Sequence, residues 1–411
     1  MIVEPEIKIK DYTYILPEEK IAKYPLPSRD DSKILIFQDN KIFESKFSNL
    51  ADFIPSDSMM VFNNTRVVPA RLFFKKESGA HLEIFCIEPL SPPDYARSFE
   101  TTGETTWRCI VGNSKKWKSD DVKFDHSGNS LLELCNLTAT RVSIDGETSV
   151  VKFTWEGGYS FAQIMEMCGK VPIPPYLNRE SEESDRDRYQ TLYAKYRGSV
   201  AAPTAGLHFT NSVLESIDKK GIIREELSLH VGTGTFRPVK SELIKDHPMH
   251  SEPFSVSLSF LRSLIECMER KTIVSVGTTS ARTLESLYYI GIKLNRGENE
   301  VKDVEQWEPY GADFQLSPLM AIKSICEWME RRKIDSFEAK TRIIIVPGYK
   351  FKIIDALITN FHQPSSTLLL LIASFVGKSW REIYNYALNN NFRFLSYGDS
   401  SLLFRNQTKL H

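Results

Sequence analysis

The chain of 411 residues is short of several things, and each shortage removes a class of protein. Its six cysteines (Cys86, Cys109, Cys135, Cys168, Cys267, Cys326) form no close pairs. That spacing argues against a zinc knuckle or an iron–sulfur cluster and fits reduced thiols in the cytoplasm. A net charge of −1 gives no global attraction to nucleic acid, so any RNA contact must come from a local basic face. The longest apolar run, 368–376, is too short to cross a bilayer and is expected to be a core helix. The opening MIVEPEIKIKDY has no apolar core of the kind a secretory signal needs. The expectation is a cytoplasmic protein with no membrane partner.

A hydrophobic fraction of 41% with balanced charges suits a globular protein, and the length is enough for two domains. Between about 67 and 158 the texture is β-rich. Short apolar runs at 82–87, 107–111, 131–137 and 150–155 are separated by turn signals such as Gly128-Asn129 and Asp145-Gly146. This predicts a small all-β barrel or sandwich. Beyond it, 161–168 and 211–220 look helical, the latter closed by Gly221. The β-branched run 272–276 leads into GTTSARTLESL, a strand, a small-residue turn and a helix. Runs 342–346 and 350–354 read as further strands, and 318–332 has a helical pattern. Alternating strands and helices predict an α/β fold with a mixed or parallel sheet.

The most informative stretch is GSVAAPTAGLHFT (198–210), which crowds small residues, a proline and one imidazole together. Small residues let a backbone approach a ligand closely, and Pro203 with Gly206 argues against a regular helix or strand there. Further stretches accompany it: VFNNTRVVPARLF (61–73), VPIPPYLNR (171–179), DRYQTLYAK (187–195) and LHVGTGTFRPV (229–239) with HPMHSE (247–252). VGTTSARTLE (276–285), PGYKFKIIDALITNFHQPSSTLL (347–369) and FRFLSYGD (392–399) complete the set. In this order they closely resemble the S-adenosylmethionine:tRNA ribosyltransferase-isomerases of queuosine biosynthesis. That family has a layered α/β domain interrupted by a β-barrel, and the resemblance implies the same α/β fold here: a layered α/β main domain (1–66 and 159–411, with 291–340 as a peripheral insertion) and an inserted small all-β barrel domain (67–158). The resemblance implies transfer of the ribosyl part of S-adenosylmethionine onto 7-aminomethyl-7-deazaguanine at the tRNA wobble position, releasing adenine and methionine. S-adenosylmethionine is then a consumed substrate and no cofactor is implied. The partners are that tRNA and S-adenosylmethionine, with the chain acting as a monomer.

Such chemistry needs a base near the acidified ribose methylene, a donor for departing adenine and a neutral attacking amine. His208, in the densest motif, is the first acid–base candidate, because neutral imidazole both accepts and donates near pH 7; bracing of the turn is the alternative. His230 and Asp399 are the other catalytic candidates. Thr204, Gly206, Gly232, Gly234 and His362 are expected near the substrate. Thr278, Thr279 and Ser280 open a helix in a way that suits an anion or merely caps it. Arg282, one turn on, suits a carboxylate or an RNA phosphate. His247 and His250 lack an evident third ligand, and Pro248 breaks any helix between them, so the expectation is no metal site; His250 or Glu252 can still touch the substrate. For RNA the candidates are Asn63, Asn64, Arg66 and Arg71, and a barrel cluster of Lys115, Lys116 and Lys118 around Trp117. The barrel stretches 82–90 and 107–118 match loosely, 90–106 looks inserted, and Gln363 stands where an aliphatic residue is expected. Two alternatives therefore remain: a paralogue acting on another acceptor, and a non-catalytic RNA-binding protein.

Overall fold

The computed structural model describes residues 4–117, 121–125, 135–232, 239–311 and 315–405. Its strands are β1 (Lys33–Gln38), β2 (Lys41–Lys46), β3 (Ser58–Asn63), β4 (Thr65–Val67), β5 (Arg71–Lys75) and β6 (His81–Ser91). Next come β7 (Glu104–Val111), β8 (Val122–Phe124), β9 (Thr138–Asp145), β10 (Thr148–Thr154), β11 (Tyr196–Ser199) and β12 (Ile223–Leu229). The last six are β13 (Glu252–Ser257), β14 (Thr272–Val276), β15 (Asp303–Val304), β16 (Ser336–Thr341), β17 (Ala356–Asn360) and β18 (Ser400–Phe404). The helices used below are α1 (Leu50–Phe53), α2 (Tyr95–Glu100), α3 (Phe161–Cys168), α4 (Asp185–Arg188) and α5 (Asn211–Lys219). They continue with α6 (Leu258–Met268), α7 (Gly277–Asn295), α8 (Pro318–Arg332), α9 (Thr367–Val376) and α10 (Trp380–Asn389).

Ten strands form the main sheet in the order β15-β16-β13-β12-β3-β14-β17-β18-β1-β2. Its centre, β12-β3-β14-β17, is parallel. Every residue of β3 is buried, as expected where helices cover both faces of a parallel sheet. Alternation along β3 divides the packing. Met59 and Val61 join a core with Leu261 of α6 and Leu284 of α7. Met60 and Phe62 join the opposite core with Leu50 of α1 and Val213 of α5.

The inserted barrel is a closed, six-stranded antiparallel structure, β10-β7-β6-β5-β8-β9. Strands β6, β7 and β10 carry the predicted runs at 82–87, 107–111 and 150–155, while 128–129 and most of 131–137 lie outside the described residues. The predicted Asp145-Gly146 turn joins β9 to β10, with Gly146 at φ 58°. Phe161 of α3 packs 5.4–5.5 Å from the rings of Trp107, Phe153 and Trp155, so the barrel core runs past residue 158 into this helix.

Helices α3, α5, α8 and α9 fall where the sequence predicts them. Three expectations need correction. The segment 291–340 is not peripheral: α8 packs on α7, β15 and β16 extend the main sheet, and Ile322, Ile325 and Met329 sit in the main core. A Cβ on Gly291 would stand 2.1 Å from the Ala321 carbonyl, so the two helices meet backbone to backbone. Residues 342–346 form no strand. The Ile343 and Val346 amides go to the hydroxyls of Thr341 and Tyr310, while Arg342 and Ile344 donate to the Val304 and Gln306 carbonyls. Residues 350–354 form no strand either, because the buried Glu285 carboxylate accepts the amides of Lys352, Ile353 and Ile354.

Candidate functional site

A cleft of about 700 Å³ opens at the carboxyl ends of the parallel strands, where ligands bind in open α/β sheets. Three segments build it: Ala201 to Ala205 after β11, Gly277 to Thr279 at the head of α7, and Thr359 to Gln363 leaving β17. Ser366 at the N-cap of α9, Tyr176, Val231, Leu368, Leu395 and Ser396 complete the lining. The loop after β11 is pinned by Gly206, where a Cβ would lie 1.9 Å from the Tyr193 hydroxyl. Gly277 enters α7 with φ 88°, a region that favours glycine. The first residues of α7 and the N-cap of α9 line the cleft, placing the positive ends of both helices beside it.

Behind the cleft wall runs a chain of side chains. Thr204 Oγ1 donates to Asn360 Oδ1 at 2.7 Å. Asn360 Nδ2 donates to His208 Nε2 at 3.2 Å, which leaves the ring proton on Nδ1, 2.9 Å from Ser32 Oγ. His208 is buried and lies one layer behind the lining residues. Burial pushes its pKa down to about 3, with the charges of Arg393 and Arg29 adding to the effect. His362 lines the cleft itself, with Nε2 hydrogen-bonded to Thr359 Oγ1 at 2.7 Å. Its amide donates to the Tyr384 hydroxyl at 3.0 Å, and its carbonyl accepts from Tyr14. Burial lowers its pKa to about 3. Both imidazoles are therefore neutral at physiological pH.

Of the other expected residues, Thr204, Thr278 and Thr279 line the cleft. Thr279 Oγ1 is buried and has no hydrogen-bond partner among the described residues. Asp399 stands away from the lining. Its carboxylate accepts the amides of Lys33 at 3.0 Å and Arg393 at 2.8 Å, tying β18 to β1. The ring of His230 stacks on Tyr95 of α2, 4.6 Å between centroids, at the seam between barrel and main domain. Ser280 is buried within α7, and the Gly232 amide donates to Glu252 Oε1 at 3.2 Å. Gly234 lies outside the described residues.

The RNA candidates divide sharply. Asn63 and Asn64 are buried and cannot read a base edge. Asn63 holds the Leu229 backbone, donating to its carbonyl at 3.0 Å and accepting its amide at 3.1 Å. Asn64 donates to Glu226 and accepts from Ser228. Arg71 pairs with Glu83. Trp117 is 1% exposed inside the barrel, so it offers no stacking surface. Lys115 is exposed, whereas the Lys116 side chain and Lys118 lie outside the described residues. Arg66 is exposed on β4 and aligned with Arg197 of β11 in a parallel pair.

A second cleft of about 480 Å³ adjoins the first and shares Leu368 with it. It is lined by Arg282 and Glu252, which form a buried ion pair, and by His247, Met249, His250 and Leu371 among others. Sequence reasoning missed Asn360, Tyr176 and Ser396 of the first cleft. All three stand inside the family's motifs, but an amide and hydroxyls carry no titration signal that singles them out. Tyr176 and Ser396 meet at 2.5 Å although 220 positions separate them.

Fold and cleft define a class: a layered α/β protein with an inserted β-barrel and a polar ligand cleft at its strand ends. The model of the queuosine biosynthesis protein family matches residues 9–403, and the chain belongs to that family. An S-adenosylmethionine:tRNA ribosyltransferase-isomerase from Trichlorobacter lovleyi is 37% identical over 400 residues, covering 96% of this chain and 99% of its own. One from Halothermothrix orenii is 36% identical over 403 residues, covering 97% of this chain and all of its own. A solved structure, an S-adenosylmethionine tRNA ribosyltransferase from Thermotoga maritima, is similar at 26% identity and a TM-score of 0.46. That alignment covers 96% of this chain and 100% of the Thermotoga chain.

Proposed function

We propose that this protein transfers and isomerises the ribosyl part of S-adenosylmethionine onto 7-aminomethyl-7-deazaguanine at the tRNA wobble position. The product is epoxyqueuosine in tRNA, with adenine and methionine released. The observation that carries the reading is the polar cleft built from the family's own motifs, in a chain matched almost end to end. S-adenosylmethionine is spent as substrate, and the reading calls on no cofactor. A tRNA substrate implies the cytoplasm. Among the described residues no helix is long and apolar enough to cross a membrane.

The cleft chemistry suits a cationic substrate. Neutral imidazoles at His362 and His208 place no positive charge beside the sulfonium. His362 with Thr359, and the Asn360 amide, hold the nucleoside and offer hydrogen bonds to departing adenine. His208 acts through Asn360 and is a positioning residue. Asp399 braces the strands beneath. Both threonines at the head of α7 contact the substrate with that helix's amides behind them. For tRNA, Arg66 and Arg197 supply phosphate contacts beside the loop that enters the cleft.

The test is to incubate the protein with S-adenosylmethionine and a tRNA carrying the aminomethyl-deazaguanine, following free adenine and the nucleoside mass. Adenine release matched by the epoxyqueuosine mass is expected. Adenine without tRNA modification would mean another acceptor, and neither signal with a competent tRNA would sink the reading.

A further inference from the structure

The second cleft has a composition that the reaction so far described does not use. Its buried cation, Arg282, is 6% exposed and sits next to a buried carboxylate, Glu252, at 2%. Arg282 Nε donates to the Ile343 carbonyl at 3.1 Å and Nη1 pairs with Glu252. Its Nη2 is buried with no hydrogen-bond partner among the described residues. A guanidinium has five donors in a planar fork, and leaving one of its nitrogens dry is unfavourable. An anion with two oxygens is what that fork fits. Around the pair stand the thioether of Met249 and the apolar side chains of Ile345, Leu368 and Leu371.

One ligand class matches all three features: an α-amino acid with an unbranched apolar side chain. An RNA phosphate does not, because Glu252 adjoins the cation and would repel a phosphodiester brought into a buried site. Position agrees with composition. Arg282 lies four residues past Thr278 on α7, about 6 Å along the helix axis, one turn from the first cleft. Leu368 lines both clefts, so the two adjoin at that side chain.

We infer that the second cleft is the subsite for the amino-acid end of S-adenosylmethionine, with its carboxylate on Arg282 Nη2 and its ammonium on Glu252. The carbon chain lies against Met249, Leu368 and Leu371. The nucleoside occupies the first cleft, and the sulfonium stands at the join. The same groups retain methionine after the ribosyl part has left. This rests on the S-adenosylmethionine reading above, and the test separates the two.

Calorimetry with L-methionine and with 3-(methylthio)propylamine, which lacks only the carboxylate, probes the subsite in the unmodified protein. The amine is expected to bind at least tenfold more weakly. In R282Q, checked for folding by circular dichroism, that difference is expected to vanish. KM for S-adenosylmethionine should rise at least tenfold, kcat should fall less, and inhibition by adenine should stay unchanged. Equal binding of the two probes, no methionine binding, or a folded R282Q with KM within twofold would overturn the proposal. If R282Q does not fold, the two probes decide the matter on the unmodified protein. Discrimination between them without any adenine release would keep the amino-acid subsite and remove the ribosyl-transfer reading instead.

Discussion

His208 and His362 show what burial does to a titrating residue. Each has an ordinary pKa of 6.5 and is pushed down to about 3 chiefly by loss of water. The folded protein therefore holds both neutral, while the unfolded chain binds a proton on each below pH 6.5. Where the unfolded state binds more protons, stability falls as pH falls. The expected profile is flat above pH 7 and declines from about 6.5 toward 3, each histidine contributing about 1.4 kcal/mol per pH unit within that window. Melting temperatures measured across pH 4 to 8 should show this decline, and His208→Gln should make it shallower. An equally steep decline in the variant would mean that His208 is solvated or paired in a way its buried position denies. A histidine in a glycine-rich motif looks alike whether it faces the cleft or stands one layer behind Asn360.

Helix α7 shows how a single buried side chain arranges a neighbouring element. Glu285 is fully buried, and burial raises its pKa even though four donors face it. Its carboxylate accepts the amides of Lys352, Ile353 and Ile354 and the hydroxyl of Tyr349 at 2.7 Å. These bonds hold the segment that feeds directly into β17 and so into Asn360 and His362. Glu285→Gln turns one acceptor into a donor facing donors, and is expected to cost about 1–3 kcal/mol. Urea unfolding should report that loss, and hydrogen exchange should show the 352–354 amides deprotected first. Unchanged protection there would overturn the clamp. Glu285 is also the reason 350–354 fails to be a strand. Its apolar residues and β-branched run carry a strand's composition, but its amides go to a side chain instead of a ladder.

At the scale of the whole molecule, two guanidiniums, those of Arg66 and Arg197, stand on the two-stranded β4–β11 ribbon. Arg66 and Arg197 are register partners on parallel strands, so like charges stand side by side. Glu166 lies 3.6 Å from Arg197 and also 3.8 Å from Arg186, so it offsets only part of the local charge. Like charges directly opposed are mildly destabilising, an arrangement that a bound polyanion would relieve. Salt dependence of tRNA binding falls by about 0.7–0.9 per phosphate contact removed. The double variant Arg66→Ala/Arg197→Ala should thus lower the slope of log K against log salt by about 1.5. Its melting temperature without RNA should be unchanged or raised. Fluorescence anisotropy over a salt series measures the slope, and an unaltered slope would place the RNA elsewhere.

Signals that travel only a few residues are legible in the amino-acid order itself. A helical pattern marks α8, an apolar run marks α9, β-branched residues followed by small ones mark β14 running into α7, and short apolar runs between turn residues mark the barrel. Each depends on a residue's near neighbours, which the sequence states outright. The motifs that line the cleft are legible too. What only the tertiary structure decided is which groups meet. Asn63 holds the Leu229 backbone and Asn64 the Glu226 and Ser228 side chains because β12 runs beside β3. Trp117 faces the barrel core because the sheet closes. The segment 291–340 belongs to the core because Gly291 and Ala321 let two helices touch. Partnerships of this kind are set by packing across tens to hundreds of positions, and local propensity contains no term for them.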